Sequence, residues 1–257
     1  AVDVRARRGV ILSAGAIESP KILMLSGIGP ADALRGHGIG VRLDAPGVGA
    51  NLHDHPRVPV RWAARAPLAA SSVSAGLLTW SQRGRTPRSP DLQFYVGRGL
   101  DTPDPAVTLT MALSRPESRG TISLRSADPL AAPAIRANYL TDSRDVGALV
   151  EGVRLARSFA NTRAYAAIRG AATDPGDAVQ STDDIRAYIR RTADTMFHPA
   201  GTCRMGVDAD AVVDPELRVR GVDGLWVADA SIMPVCVNSQ THAACAMIGE
   251  RAAEFAK

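Results

Sequence analysis

Residues 7–30, RRGVILSAGAIESPKILMLSGIGP, carry the pattern that decides the fold. Arg7 to Ala14 is a continuous apolar run of strand length, which reads as a buried strand in a sheet covered on both faces. Gly15 opens a turn. Ser19 is placed to cap a helix and Pro20 to occupy its first position, where the missing N–H costs nothing, so the spacing predicts a helix from about Pro20 to Leu25. Gly27 and Gly29, followed by Pro30, stop it.

Working outward, residues 44–56 (DAPGVGANLHDHP) hold too many turn formers for regular structure and read as a compact loop. Val58–Trp62, Asp91–Tyr95 and Val107–Leu113 alternate as strands do, and 115–126 (RPESRGTISLRS) reads as a hairpin with Gly120 at or near its turn. Residues 143–170 read as a helix, with Val146, Leu149, Val150, Val153 and Leu155 at helical spacing. A second helix spans Thr182–Arg191, with Ser181 or Thr182 as cap. After His198 the texture changes back. HPAGTCRMG is loop-like, Ala211–Val222 suggests a short hairpin, and GLWVADAS is a buried strand ending in a turn. The last segment reads as a helix capped by Asn238, Ser239 or Thr241.

With 257 residues and 46% apolar content, the chain can bury a sizeable core. No apolar run has the length of a membrane span, and Ala1 to Arg8 leads into a strand-like segment with no signal-peptide pattern, which makes the cytoplasm the expected compartment. The net charge of +4 comes with cations dispersed among acids and only 4% aromatics, so the basic stripe with stacking rings that nucleic-acid binding needs is not there. Cys203, Cys236 and Cys245 lack C-x-x-C spacing and read as reduced thiols.

Five histidines carry the candidate chemistry. His198 precedes Pro199, which restricts it to extended backbone, and it opens a glycine-containing loop after a helix, a placement suited to presenting an imidazole and equally open to a satisfied side chain. His242 stands near the start of the last helix, where N–H groups and the helix dipole favour negative charge, with or without a ligand. His53 and His55 flank Asp54; a metal would need further ligands, so no metal site is expected. The motifs of nucleotide-binding loops, serine-hydrolase elbows and zinc proteases are missing. The residues alone lead to an α+β protein with one suggestive histidine.

Two distant segments resemble paired signatures of the glucose-methanol-choline (GMC) oxidoreductases: GAIESPKILMLSGIGP (15–30), and HPAGTCRMG (198–206) with LWVADASIMP (225–234) and MIGERAA (247–253). DAPGVGANLHDH (44–55) and residues 115–140 share the family's texture. The resemblance covers the second half of a typical member and implies an α/β FAD-binding portion, Rossmann-like and incomplete, with an inserted α+β substrate-binding domain. The divisions it suggests are 1–56 for part of the FAD-binding domain, 57–196 for the substrate-binding domain, and 197–257 for the active-site loop and the return to the FAD-binding domain.

The resemblance also implies a function. An alcohol oxidase or dehydrogenase, choline dehydrogenase-like in family, would oxidise a CH–OH group by hydride transfer to flavin N5, with His198 as base and Gln240 or His242 as partner of the substrate hydroxyl. Asn238 would fit that role only with a shift of register. FAD would lie against Asp229, Ala230, Gln240, Thr241 and Asn51. Phe197, Phe94 and Tyr95 are candidates to line the substrate pocket, although such rings also build cores, and few aromatics argue against a cation–π cage. The span between His55 and Asp91 is shorter than many relatives use to cover the site. The partners implied are an alcohol, an unidentified electron acceptor and the N-terminal FAD-binding half, with neither membrane nor nucleic acid. A lyase on the same scaffold, or a non-catalytic subunit completing another chain, are the alternatives.

Overall fold

The computed structural model describes residues 5–65, 75–81, 89–98 and 106–256. In chain order these form β1 (Val10–Leu12), α1 (Gly15–Leu25), β2 (Ile28–Gly29), α2 (Ala31–Gly36), β3 (Leu43–Asp44), β4 (Pro56–Ala64), β5 (Ala75–Thr79) and β6 (Leu92–Arg98). There follow β7 (Ala106–Leu113), β8 (Thr121–Ser123), β9 (Ala134–Arg136), α3 (Ser143–Ala160), α4 (Arg163–Ala166) and β10 (Arg169–Asp174). The chain ends with α5 (Thr182–Thr192), β11 (Asp194–Thr195), β12 (Leu225–Val227) and α6 (His242–Phe255). They divide into two units: Ala1–Asp54 with Arg119–Asn138 and Phe197–Lys257, and His55–Ser118 with Tyr139–Met196.

In the first unit β1 pairs in parallel with β12, Ile11 opposite Trp226. Val10 and Ile11 are 46% and 44% exposed, not buried on both faces as their apolar run predicts, because β12 is the one strand β1 pairs with among the described residues. Helix α1 begins at Gly15, five residues before the expected start, and contains Pro20. A proline there leaves the carbonyl of Ala16, four residues back, without its helical donor. The buried hydroxyl of Thr202 supplies the bond at 2.6 Å. Leu23, Met24, Leu34, Val48, Leu52, Cys203, Val213, Val227 and Ile248 are among the residues that build the core of this unit.

Residues 119–138 fall in this unit, not in the 57–196 block expected from the sequence. Backbone bonds explain it: Gly120 and Leu52 exchange N–H···O bonds at 2.7 and 3.0 Å, and Ile122 N–H reaches Gly49 O at 2.7 Å. Gly120 is therefore a point of close approach and not a turn; a Cβ there would lie 2.0 Å from the carbonyl oxygen of Arg136. The hairpin itself is β8 with β9, Ile122 opposite Ile135.

The second unit is an antiparallel sheet in the order β10-β4-β7-β6-β5, with β11 beside β4 at the end opposite β10. Strand β4 alternates buried and half-buried residues and holds Pro59 in its middle. In an antiparallel strand one residue's N–H and C=O face the same side, and the Pro59 carbonyl accepts the Tyr188 hydroxyl at 2.6 Å. The missing donor thus falls in the gap between β10 and β11. Helix α3 lays Val146, Leu149, Val150 and Val153 into the core of this unit. It ends at Ala160, ten residues short of the expected limit, because Arg169–Asp174 joins the sheet as β10. Helix α5 is capped by Ser181, whose hydroxyl accepts the Asp184 N–H at 3.1 Å and donates to its carboxylate at 2.6 Å. Strand β5 had no counterpart in the sequence reading.

Candidate functional site

The loop 198–206 is laid along the segment after β12 by alternate backbone bonds. Gly201 N–H donates to Ala230 O at 3.1 Å, Cys203 N–H to Ser231 O at 2.8 Å, and Met205 N–H to Ile232 O at 2.8 Å. Its other edge is tied to 51–54. His53 and Ala200 exchange bonds at 3.1 and 2.8 Å, the Asn51 side-chain amide donates to Gly201 O at 3.2 Å, and the His198 N–H donates to an Asp54 carboxylate oxygen at 3.0 Å. His198 is 9% exposed. Burial holds its imidazole below the ordinary histidine range, while the charge of Asp54 acts the other way.

Asp229 turns its carboxylate into the fold. One oxygen accepts Gly15 N–H at 2.9 Å and the Ser19 hydroxyl at 2.5 Å; the other accepts Ser231 N–H at 2.7 Å. Ser19, read as the helix cap, thus acts from inside the helix, and Asp229 holds the helix start at Gly15. What Asp229 and Ala230 would offer a cofactor is main chain. The amide of Asn51 is likewise engaged, donating to Gly201 O and, at 3.5 Å, to Pro234 O, and accepting from Arg119 Nε at 3.0 Å.

Gln240, Thr241 and His242 meet at the start of α6. Thr241 occupies the cap position with no side-chain cap bond, and no acidic residue stands in the first turn. Gln240 and His242 are exposed, and the Gln240 side-chain oxygen accepts the Ser239 hydroxyl at 2.7 Å. An uncapped N-terminus without a carboxylate of its own is a donor set that fits an anionic ring system, such as a reduced flavin.

Of the three aromatic candidates, Phe197 is 72% exposed in the left-handed region (φ 62°) one residue before His198. Phe94 corrects the expectation: at 1% exposure it packs edge-on against Phe159, centroids 5.3 Å apart, inside the core of the second unit, and offers no surface to a substrate. Tyr95, also of that unit, is half-buried and donates its hydroxyl to Gln93 Oε1 at 2.5 Å. Parts of the span between His55 and Asp91, 66–74 and 82–88, lie outside the described residues. The sequence reading missed Asp54, Arg119 and Thr202; the one available signal was the position of Asp54 between two histidines.

No group of three or more His, Cys, Asp or Glu side chains is arranged to hold a metal ion among the described residues. Nor is any helix among them long and apolar enough to cross a membrane. The three cysteines are free thiols.

Two family models described as GMC oxidoreductase match the chain, over residues 2–57 and 116–249. Choline oxidase of Arthrobacter globiformis is 42% identical over 267 residues, which covers 97% of this chain and 48% of that protein. Among solved structures, pyridoxine 4-oxidase from Mesorbium loti superposes with a TM-score of 0.89 at 33% identity, over 96% of this chain and 50% of the other. A formate oxidase of Aspergillus oryzae, studied for FAD modification, gives 0.88 at 26% identity over 98% and 54%. The chain spans about half the length of the relatives it matches.

Proposed function

Because the chain belongs to the GMC oxidoreductase family, we propose that it carries the catalytic base of an FAD-dependent oxidoreductase acting on the CH–OH group of an alcohol. The observation that carries this reading is the buried His198, its loop fastened on both edges and its imidazole shifted by burial toward the neutral form. A neutral, fixed imidazole can take the proton from a substrate hydroxyl, and an alkoxide releases hydride more readily than an alcohol does. FAD, when bound, supplies the hydride acceptor.

The bare N-terminus of α6 is the part of this chain that would face the negative charge of the reduced cofactor, with Gln240 and Thr241 beside it. The main chain at Asp229 and Ala230 is a further contact, and Asn51 contributes by fixing the loop at Gly201. His242 or Gln240 holds the substrate hydroxyl; a glutamine can hydrogen-bond there without relaying a proton. Phe197, exposed beside His198, is the side chain proposed to meet substrate. Choline leads the substrates to be tried, on the likeness to choline oxidase.

We also propose that a further part of an FAD-binding domain, in the same or a separate chain, covers Val10 and Ile11, whose exposure supports it. The setting proposed is the cytoplasm, and the electron acceptor is either oxygen or another carrier.

The test is the visible spectrum of the holoprotein during anaerobic addition of choline and simple primary alcohols, with His198→Ala alongside. Bleaching of the flavin that slows by about 10²-fold or more in the variant supports the reading. A bound flavin that no alcohol reduces favours a lyase or a non-catalytic subunit.

A further inference from the structure

Asn51 stands in the left-handed region (φ 58°), which asparagine tolerates better than most side chains, and it lies outside both segments that carry the candidate chemistry. Its amide joins them. The nitrogen donates to Gly201 O at 3.2 Å and to Pro234 O at 3.5 Å, and the oxygen accepts from Arg119 Nε at 3.0 Å. These partners fix which end of the amide is which, since two carbonyls need the NH2 and a guanidinium N–H needs the oxygen.

The segment Ala230 to Cys236 runs along the loop of His198 twice. Its first part follows the loop forward, with Gly201, Cys203 and Met205 donating to Ala230, Ser231 and Ile232. The chain then bends at Pro234 and returns. Cys236 is 3% exposed, and burial pushes its thiol up to about 12; neutral in consequence, it donates to the His198 carbonyl at 3.6 Å. On this returning side Gly201 and Pro234 bring two carbonyl oxygens to one amide nitrogen. Carbonyl oxygens do not attract each other, so their approach depends on the donor placed between them.

His198 lies three residues before Gly201, and Gln240 and His242 follow Pro234 by six and eight, at the start of α6. We propose that Asn51 is a positioning residue: its amide clamps the loop of His198 to the segment that leads into α6, and so sets the spacing between the base and the groups at the helix start. The positioning role rests on the reading of His198 as base. The clamp needs two N–H donors, one acceptor and ease in the left-handed region, which asparagine combines. Aspartate matches its shape but turns an acceptor on both carbonyls, and glycine matches its backbone but leaves nothing between them.

The test compares Asn51→Gly and Asn51→Asp with the wild type, each as the holoprotein. Glycine takes the left-handed conformation without strain, so it removes the amide and spares the backbone, while aspartate keeps the volume and the bond from Arg119. Hydrogen-exchange mass spectrometry without substrate reads the clamp. Exchange in 198–206 and in 234–241 is expected to rise about 10-fold in both variants, as loss of one or two hydrogen bonds allows, with α3 at its wild-type rate. Anaerobic flavin reduction by alcohol reads the positioning: the limiting rate is expected to fall about 10- to 100-fold, with the flavin spectrum and the half-saturating alcohol concentration little changed. Unchanged exchange in either segment overturns the clamp. Faster exchange with a wild-type limiting rate per bound flavin makes Asn51 a structural tie and overturns the positioning role. Wild-type flavin that no alcohol reduces defeats the reading of His198 as base and the positioning role with it, while the exchange comparison still decides the clamp.

Discussion

The hydroxyl of Thr202 donates to the carbonyl of Ala16 at 2.6 Å, and the reason lies at Pro20, which cannot donate to that carbonyl from within α1. A single bond thus joins the loop that presents His198 to the helix after β1, and lets a proline sit inside a helix where it would otherwise leave a buried acceptor bare.

Thr202→Val keeps the shape and removes the donor, so it is expected to destabilise the protein by about 1–3 kcal/mol in urea unfolding. Pro20→Ala returns an N–H to the helix and should cancel part of that loss when the two changes are combined. Strict additivity of the two substitutions would show that the hydroxyl does not stand in for the missing donor.

Asp229, a residue 8% exposed, gathers three donors, from Gly15, Ser19 and Ser231, on its carboxylate. Asp229→Ala leaves all three without their acceptor and is expected to cost roughly 2–5 kcal/mol, whereas Asp229→Asn, with one acceptor oxygen, should lose less. Faster amide hydrogen exchange in the first turn of α1 would mark the origin of the loss. Exchange there unchanged in the alanine variant would mean that α1 does not depend on this carboxylate.

The extent to which all this could be read from the sequence follows how local each signal is. The strands β4 and β7, the helices α3 and α5 and the capping of α5 at Ser181 were legible because period and capping chemistry lie within one short segment. Gly120 was read as a turn because nothing in its neighbourhood reports that Arg136 lies against its Cα. The start of α1 at Gly15 depends on Asp229, 214 residues away, so Ser19 and Pro20 misled. Phe94 looked like a pocket ring because position along a strand does not tell the core face from the open one. His198 was legible from its proline and its family motif, but Asp54 became visible only when the fold brought the two together.

Gly201 holds the left-handed conformation (φ 90°), with space for a Cβ already taken by His53, 2.2 Å from its Cε1, and by the Asn51 carbonyl oxygen at 2.7 Å. Gly201→Ala is expected to cost roughly 2–5 kcal/mol from overpacking and backbone strain together. It should also slow flavin reduction, because the residue it displaces is three positions from His198. Adding His53→Ala relieves the ring clash and should recover part of the stability. No recovery would put the strain on the backbone alone.

As the proposed base, His198 is expected to set the pH dependence. Its imidazole lies below the ordinary histidine value because burial disfavours the charged form, so the neutral base persists to lower pH than an exposed histidine would allow. The acidic limb of kcat/KM for alcohol oxidation is therefore expected below pH 6.5, the unperturbed histidine value. Stability follows from the same shift with a definite sign. The unfolded chain binds the proton first as pH falls, so this histidine's contribution is complete above its unfolded pKa and is lost as pH drops from there through the folded value. His198→Gln, which cannot titrate, should flatten that part of the stability profile and abolish the limb. An acidic limb at or above pH 6.5 in the wild type would take the role of base away from the buried His198.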